Sequence, residues 1–228
     1  MESLSMIKVL TIGLKGLLCL IMFSIFGVAN AGSYDDFFNA VKQDNARKVK
    51  ELLINGFDAN TPDPKGLSGL HLAVLEPSPK AALVLIEWAK TDVNQLNKKG
   101  ESALMLAALK GNQQIAEKLI KKGGDVNKTG WTPLHYAATG GWIPIINLLL
   151  ENSAYIDAGS PNGTTPLMMA AMYGTSAAVN FLLQEGADPA IKNQQGLTAL
   201  DFAQKGNRPD AVKAIATALK SKHPAGQW

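Results

Sequence analysis

Thr132-Pro133-Leu134-His135-Tyr136-Ala137-Ala138 decides how this chain is read. A threonine before a proline is a helix start. The hydroxyl can take one of the orphaned backbone N–H groups, and Pro133 at the first helical position gives up a donor that had no partner there. The Leu-x-x-Ala that follows recurs along the chain. Phe37 to Ala40 opens the series, and Leu70 to Ala73, Leu104 to Ala107, Leu134 to Ala137, Leu167 to Ala170 and Leu200 to Ala203 continue it. Their alanines are spaced 33, 34, 30, 33 and 33 residues apart. Gly66, Gly100, Gly130, Gly163 and Gly196 keep step, each four residues before the leucine. A unit this short cannot bury its own apolar face, so the period predicts a stack in which neighbours supply the core.

The unit from Gly163 onward carries the full pattern. Thr165 and Pro166 open a first helix through Tyr173, which Gly174 is expected to end in a left-handed conformation. A second helix over Ala177–Leu183 follows, apolar at helical spacing, and Gly186-Ala187-Asp188 terminates it. The segment from Pro189 to Gly196 reads as a turn.

This unit resembles the ankyrin repeat. Thr132 to Ala138 fits the family's T-P-L-H-x-A-A signature. Asn147 to Leu150 and Phe181 to Leu183 fit its second helix, and Asp125-Val126-Asn127 and Gly186 to Asp188 fit its end. The resemblance implies an all-α ankyrin-repeat solenoid of about six helix-turn-helix units with short β-hairpin fingers. The units fall near residues 34–60, 61–94, 95–127, 128–158, 159–190 and 191–219, within a domain spanning 32–220. The first unit lacks Thr-Pro and carries Asp35, Asp36, Lys42 and Gln43, and the last carries Asp201, Gln204, Lys205 and Lys213. Both are expected to be caps with a polar outer face. Glu76-Pro77-Ser78-Pro79 replaces the glycine turn of the second unit. Three residues are missing before Gly130, which predicts a shortened finger there. Pro144 falls early in a second helix, where a first turn tolerates it.

The N-terminus is a different kind of segment. Lys8 and Lys15 precede an apolar run from Gly16 to Ala29, 14 residues long, and Ala29-Asn30-Ala31 follows. That order fits a cleavable signal peptide over residues 1–31, cut after Ala31; the alternative is a retained anchor. The expected location is the bacterial periplasm, with secretion as the alternative. Cys19, the one cysteine, lies inside the apolar run, so the chain after cleavage has no thiol for a disulfide, a metal site or a nucleophile. The tail 221–228 is expected to be flexible.

Composition excludes more than it selects. Hydrophobic residues are 46% and charged residues 18%, which is globular, and a net charge of +3 with interspersed signs gives no nucleic-acid footprint. No partner of that class is expected, and no membrane after signal cleavage. There is no G-x-S-x-G, HExxH or P-loop. His71 and His135 occupy the repeat's histidine position, where the resemblance implies a hydrogen bond across the turn rather than metal ligation. No cofactor, metal or catalytic residue is expected.

The resemblance implies a non-enzymatic scaffold that binds a protein through its concave groove. The repeat positions left open there are Leu67, Leu75 and Glu76; then Lys98, Lys99, Glu101, Leu109 and Lys110; then Trp131, Thr139 and Trp142; then Thr164, Met172 and Tyr173; and finally Leu197 and Lys205. Leu67, Leu75, Lys98, Glu101, Leu109, Lys110, Trp131, Trp142, Met172, Tyr173 and Leu197 are the candidate contacts, with the main one around Trp131 and Tyr173. Met168, Met169 and Met172 read as core. An exported ankyrin of this size resembles adaptors of oxidative-stress defence; the alternative is an immunity protein that neutralises a toxin acting in the periplasm.

Overall fold

The computed structural model describes residues 32–222. The predicted signal peptide and all but the first two residues of the predicted tail lie outside them. Among the described residues, twelve helices alternate between two layers. The inner row is α1 (residues 32–42), α3 (Gly69–Leu75), α5 (Ala103–Lys110), α7 (Pro133–Gly140), α9 (Pro166–Tyr173) and α11 (Ala199–Lys205). The outer row is α2 (Ala46–Ile54), α4 (Pro79–Glu87), α6 (Gln113–Lys121), α8 (Ile143–Glu151), α10 (Ser176–Gln184) and α12 (Pro209–Lys222). Each inner helix packs on the next inner helix and each outer helix on the next outer one, so the chain is an all-α repeat solenoid. Leu70, Leu104, Leu134 and Leu167 are buried in the seam between layers, and Ala107, Ala137, Ala170 and Ala203 let neighbouring inner helices close up.

One column of residues starts the inner helices. Ser68, Ser102, Thr132, Thr165 and Thr198 stand at the N-caps, each paired with the side chain three residues on: His71, Met105, His135, Met168 and Asp201. These are capping boxes in which imidazole, thioether and carboxylate do the same work. The Ser68 amide donates to His71 Nδ1 at 3.3 Å, the Ser102 amide to Met105 Sδ at 3.4 Å and the Thr198 amide to Asp201 Oδ2 at 2.7 Å. Asp201 therefore serves the helix start as well as the polar end of the array.

The fingers are tight turns, not β-ladders. Asp63, Asn97, Ser160 and Asn193 each donate a backbone N–H to the carbonyl four residues on, and a side-chain oxygen accepts the returning N–H. Gly66, Gly100, Gly163 and Gly196 hold positive φ in the third place. The one β-bridge among the described residues joins Pro62 to Ser68. A two-sided closure over four residues leaves no strand length for a longer ladder, so the predicted β-hairpins are reduced to their turns. Ahead of Gly130, where three residues are missing, that closure does not occur among the described residues.

Two helix ends depart from the expected chemistry. Gly111 and Gly141 cap α5 and α7 in the left-handed region, but Gly174 has φ −78° and ψ −152°. Glycine is needed at Gly174 for proximity: a Cβ there would lie 2.4 Å from the Ala138 carbonyl oxygen and 2.9 Å from that of Ala170. In the Glu76-Pro77-Ser78-Pro79 turn, the Ser78 hydroxyl is buried without a partner, and Asp44 of the preceding unit caps α4 by accepting the Ala81 N–H at 2.8 Å.

An amide ladder runs along the unit ends. Asn60 accepts from Asp92 N–H and donates to the Lys90 carbonyl, both at 2.8 Å. Asn94 does the same with Asp125 and Gly123, and Asn127 with Tyr155 and Ser153. Each side-chain amide imitates a peptide group and ties its unit to the following one. At Asp157 the carboxylate receives the Asp188 N–H at 3.0 Å, the acceptor half of the same contact. Asn94→Ala should cost roughly 1–2 kcal/mol in urea unfolding and Asn94→Asp about half that, because one of two hydrogen bonds is retained.

Candidate functional site

The concave face is built by the finger bases and the exposed side of the inner helices. At its centre lies a cleft of about 260 Å³ lined by Leu109 of α5, Trp131, His135, Tyr136 and Thr139 of the fourth unit, and Met169 of α9. It sits beside the finger that lacks the four-residue closure. Trp131 meets His135 edge-on at 5.1 Å between ring centroids, so the indole is held upright against α7. The Tyr136 hydroxyl donates to Glu101 Oε1 at 3.0 Å. Burial first, and the Glu101 carboxylate second, push its phenol well above its ordinary pKa, so it remains a donor.

The structure distributes the predicted contact residues unevenly. Leu109 and Trp131 join in the central cleft, and Glu101 is one hydrogen bond away through Tyr136. Leu67, Leu75 and Glu76 line a second, larger cleft of about 450 Å³ with Leu72, Lys42 and the Asp63–Lys65 turn. Lys98 is tied down: its stem packs on Gly66 and its ammonium donates to the Pro64 carbonyl at 2.7 Å, linking two fingers. Lys110 is exposed, Tyr173 is 56% exposed at the end of α9, and Met172 and Leu197 are half-buried. Thr164, expected to be open, is 2% exposed, because its backbone closes a finger turn and its carbonyl receives His135.

Trp142 has a second role. It stands at the N-cap of α8, where Asn112 and Thr175 cap the outer helices of the neighbouring units with their side chains, and it makes no cap bond. Its indole instead lies over Gly111 and Gly140 and donates Nε1–H to the Leu109 carbonyl at 2.9 Å. A Cβ at Gly140 would fall 2.3 Å from that nitrogen. The side chain is still 42% exposed, so it both clasps the third unit and presents an aromatic edge.

Tyr136 escaped the sequence reading, and Met169, read there as core, lines the cleft instead. They belong to the column Leu72, Leu106, Tyr136, Met169 and Phe202, one residue before each alanine. Leu72 and Leu106 are buried, whereas Tyr136, Met169 and Phe202 are half-buried on the concave side. A large residue recurring at this place was the available signal. Met168 is core as expected, and Met169 faces the cleft.

The two histidines close the neighbouring fingers. His135 Nε2 lies 2.8 Å from the Thr164 carbonyl and His71 Nε2 lies 3.1 Å from that of Glu101. Since each cap amide donates to Nδ1, the ring proton belongs on Nε2 in both. Burial lowers the pKa of His71 and takes that of His135 to about 4, against the raising effect of the carbonyl contacts. Both rings are neutral and occupied. Among the described residues no group of three or more His, Cys, Asp or Glu side chains could hold a metal, and no helix is long and apolar enough to cross a membrane.

A family model described as ankyrin repeats, in three copies, matches residues 37–129, 70–160 and 155–223. The chain belongs to the ankyrin-repeat family. Ankyrin-repeat relatives include the nuclear factor NF-kappa-B p105 subunit of Gallus gallus, 34% identical over 196 residues, which is 83% of this chain and 20% of that protein. Alpha-latrotoxin-Lg1a of Latrodectus geometricus is 31% identical over 126 residues, 51% of this chain and 9% of its own length. The chain thus spans a fifth or less of these relatives. A chain of the solved complex of the Bd0816 predatory endopeptidase from Bdellovibrio bacteriovorus with immunity protein Bd3460 superposes with a TM-score of 0.68. It is 31% identical and covers 80% of this chain and 97% of its own. Ankyrin repeats are typically non-enzymatic protein-binding scaffolds, and protein–protein binding is the function that the family membership supports here.

Proposed function

We propose that the chain seats a protein partner on its concave face, with the Leu109–Trp131–Tyr136–Met169 cleft at the centre of contact and the Tyr173 ring at its margin. The observation that carries this reading is the cleft itself. It is an apolar hollow in which Tyr136 and Met169 are half-buried, whereas Leu106, at the equivalent place on the preceding inner helix, is buried. Aromatic side chains lining a hollow are what partner anchors pack into. The setting proposed is the periplasm, a reading supported by the basic, apolar and small-residue order of residues 1–31.

The two partner classes under comparison are an adaptor's client in oxidative-stress defence and a toxin restrained by an immunity protein. One observation favours the second: the structural relative that spans 80% of this chain comes from a complex of an endopeptidase with an immunity protein. We therefore propose an inhibitory binder of a hydrolytic enzyme.

The test is capture of partners on the purified full chain, followed by assay of the captured protein's activity. Thr139→Arg, which plugs the cleft, and the pair Trp131→Ala with Tyr173→Ala should each lower capture at least tenfold while the thermal melt stays cooperative. Capture that survives all of these substitutions would remove the concave cleft from the interface. A captured enzyme that stays fully active in the complex would remove the inhibitory reading and leave the scaffold.

A further inference from the structure

We propose that the central cleft recognises an arginine beside a large apolar residue on the partner, the apolar side chain entering the cleft and the guanidinium meeting Glu101. The proposal rests on the reading of the concave face as the docking surface. Its own observation is the state of the Glu101 carboxylate. Oε1 accepts from the Tyr136 hydroxyl at 3.0 Å and Oε2 from Asn97 Nδ2 at 2.7 Å. Both donors are neutral, and among the described residues no lysine or arginine forms an ion pair with it. It is a half-buried anion with one donor on each oxygen and acceptor capacity left on each.

A guanidinium offers two parallel N–H groups in a rigid fork, one for each oxygen, whereas an ammonium matches only a point. The carboxylate is also held in place before anything binds. The Glu101 amide donates to Asn97 Oδ1 at 3.0 Å, its carbonyl receives His71 Nε2, and the carboxylate is fixed from both sides by Tyr136 and Asn97. An arginine therefore meets an acceptor that has little freedom left to lose. Tyr136 joins the two halves of the site, because its ring lines the cleft while its hydroxyl touches Glu101. Of the two finger lysines, Lys98 is engaged with the Pro64 carbonyl, and the exposed Lys99 forms no ion pair with Glu101 among the described residues.

The experiment selects random displayed heptapeptides on the immobilised full chain and measures the best peptide by fluorescence titration. Arginine next to Leu, Phe, Met or Trp should be enriched. Replacing that arginine by citrulline, which keeps the shape and loses the charge, should weaken binding roughly tenfold on the native chain. It should change little on Glu101→Gln, which itself loses the arginine preference while keeping the apolar one. Selected peptides without arginine, or a citrulline effect that is the same on Glu101→Gln, overturn the proposal. Thr139→Arg separates the two readings. Peptides that need an open cleft but ignore charge leave the docking surface in place and remove only the arginine. Peptides that ignore the plug, or a selection that yields no cleft-dependent peptide, remove both.

Discussion

Gly174→Ala is expected to destabilise the array by about 3 kcal/mol or more, lowering the melting temperature by roughly 6–12 °C. The new methyl would meet the Ala138 carbonyl oxygen at 2.4 Å, with the Ala170 Cα and carbonyl oxygen each at 2.9 Å. All three are backbone atoms, in two successive inner helices. No rotamer change relieves the overlap, and close-packed interiors do not absorb such a shift cheaply. The Gly174 carbonyl is also an acceptor for the Arg208 guanidinium, so a displaced turn disturbs the last unit as well. The comparison that isolates proximity is Gly186→Ala. Gly186 has φ +98° and nothing within 4 Å of where a Cβ would stand, so alanine there meets only the conformational penalty of about 1–2 kcal/mol. Calorimetry on the two variants checks the order. Equal losses would mean that the turn relaxes away from Ala138 and that proximity does not govern Gly174.

Acid should loosen the array in a window that belongs to its histidines. His135 is fully buried and its folded pKa is about 4, below the ordinary 6.5. The unfolded chain therefore takes up the proton first. The stabilisation from the neutral ring is complete above pH 6.5, falls as the pH drops through the interval, and is gone below about 4. By linkage the interval is worth about 3 kcal/mol for His135, and His71 contributes with the same sign. Burial is the main cause. Protonation would also place an N–H at Nδ1 against the Thr132 amide, which already donates there at 3.2 Å. His135→Met offers a specific control, since Met105 and Met168 hold the same register position and accept the same kind of cap bond. Urea unfolding at pH 7 and at pH 4.8 should show a drop in the native chain and a clearly smaller one in His135→Met. An unchanged drop would assign the acid sensitivity elsewhere.

The parts of the fold that repeat were legible from the residues. The leucine and alanine columns, the Ser/Thr starts and the finger glycines recur at one period, and each has a local cause in capping, burial or a required φ. The site was legible only in part. Trp131 and Leu109 were found because they occupy open repeat positions. Tyr136 was missed because its column is buried at Leu72 and Leu106 and half-buried only from the fourth unit on, a difference that the period alone does not encode. Lys98 looked free because the Pro64 carbonyl that holds it lies 34 residues away, in another unit. Gly174 looked like Gly111 and Gly141 because a position between two helices favours glycine for either of two reasons. Only the placement of Ala138 separates handedness from proximity.

The cross-unit bonds share one property with a mechanical meaning. The Asn ladder, the His71 and His135 closures, the Lys98 peg, the Trp142 clasp and the Asp44 cap all span between 26 and 37 residues. None bridges two units at once. Tension applied along the chain therefore passes through them in series, as through the links of a spring, and the link that yields sets the force that every other link can feel. A partner lying across several units would act in parallel with that series and stiffen the segment it covers.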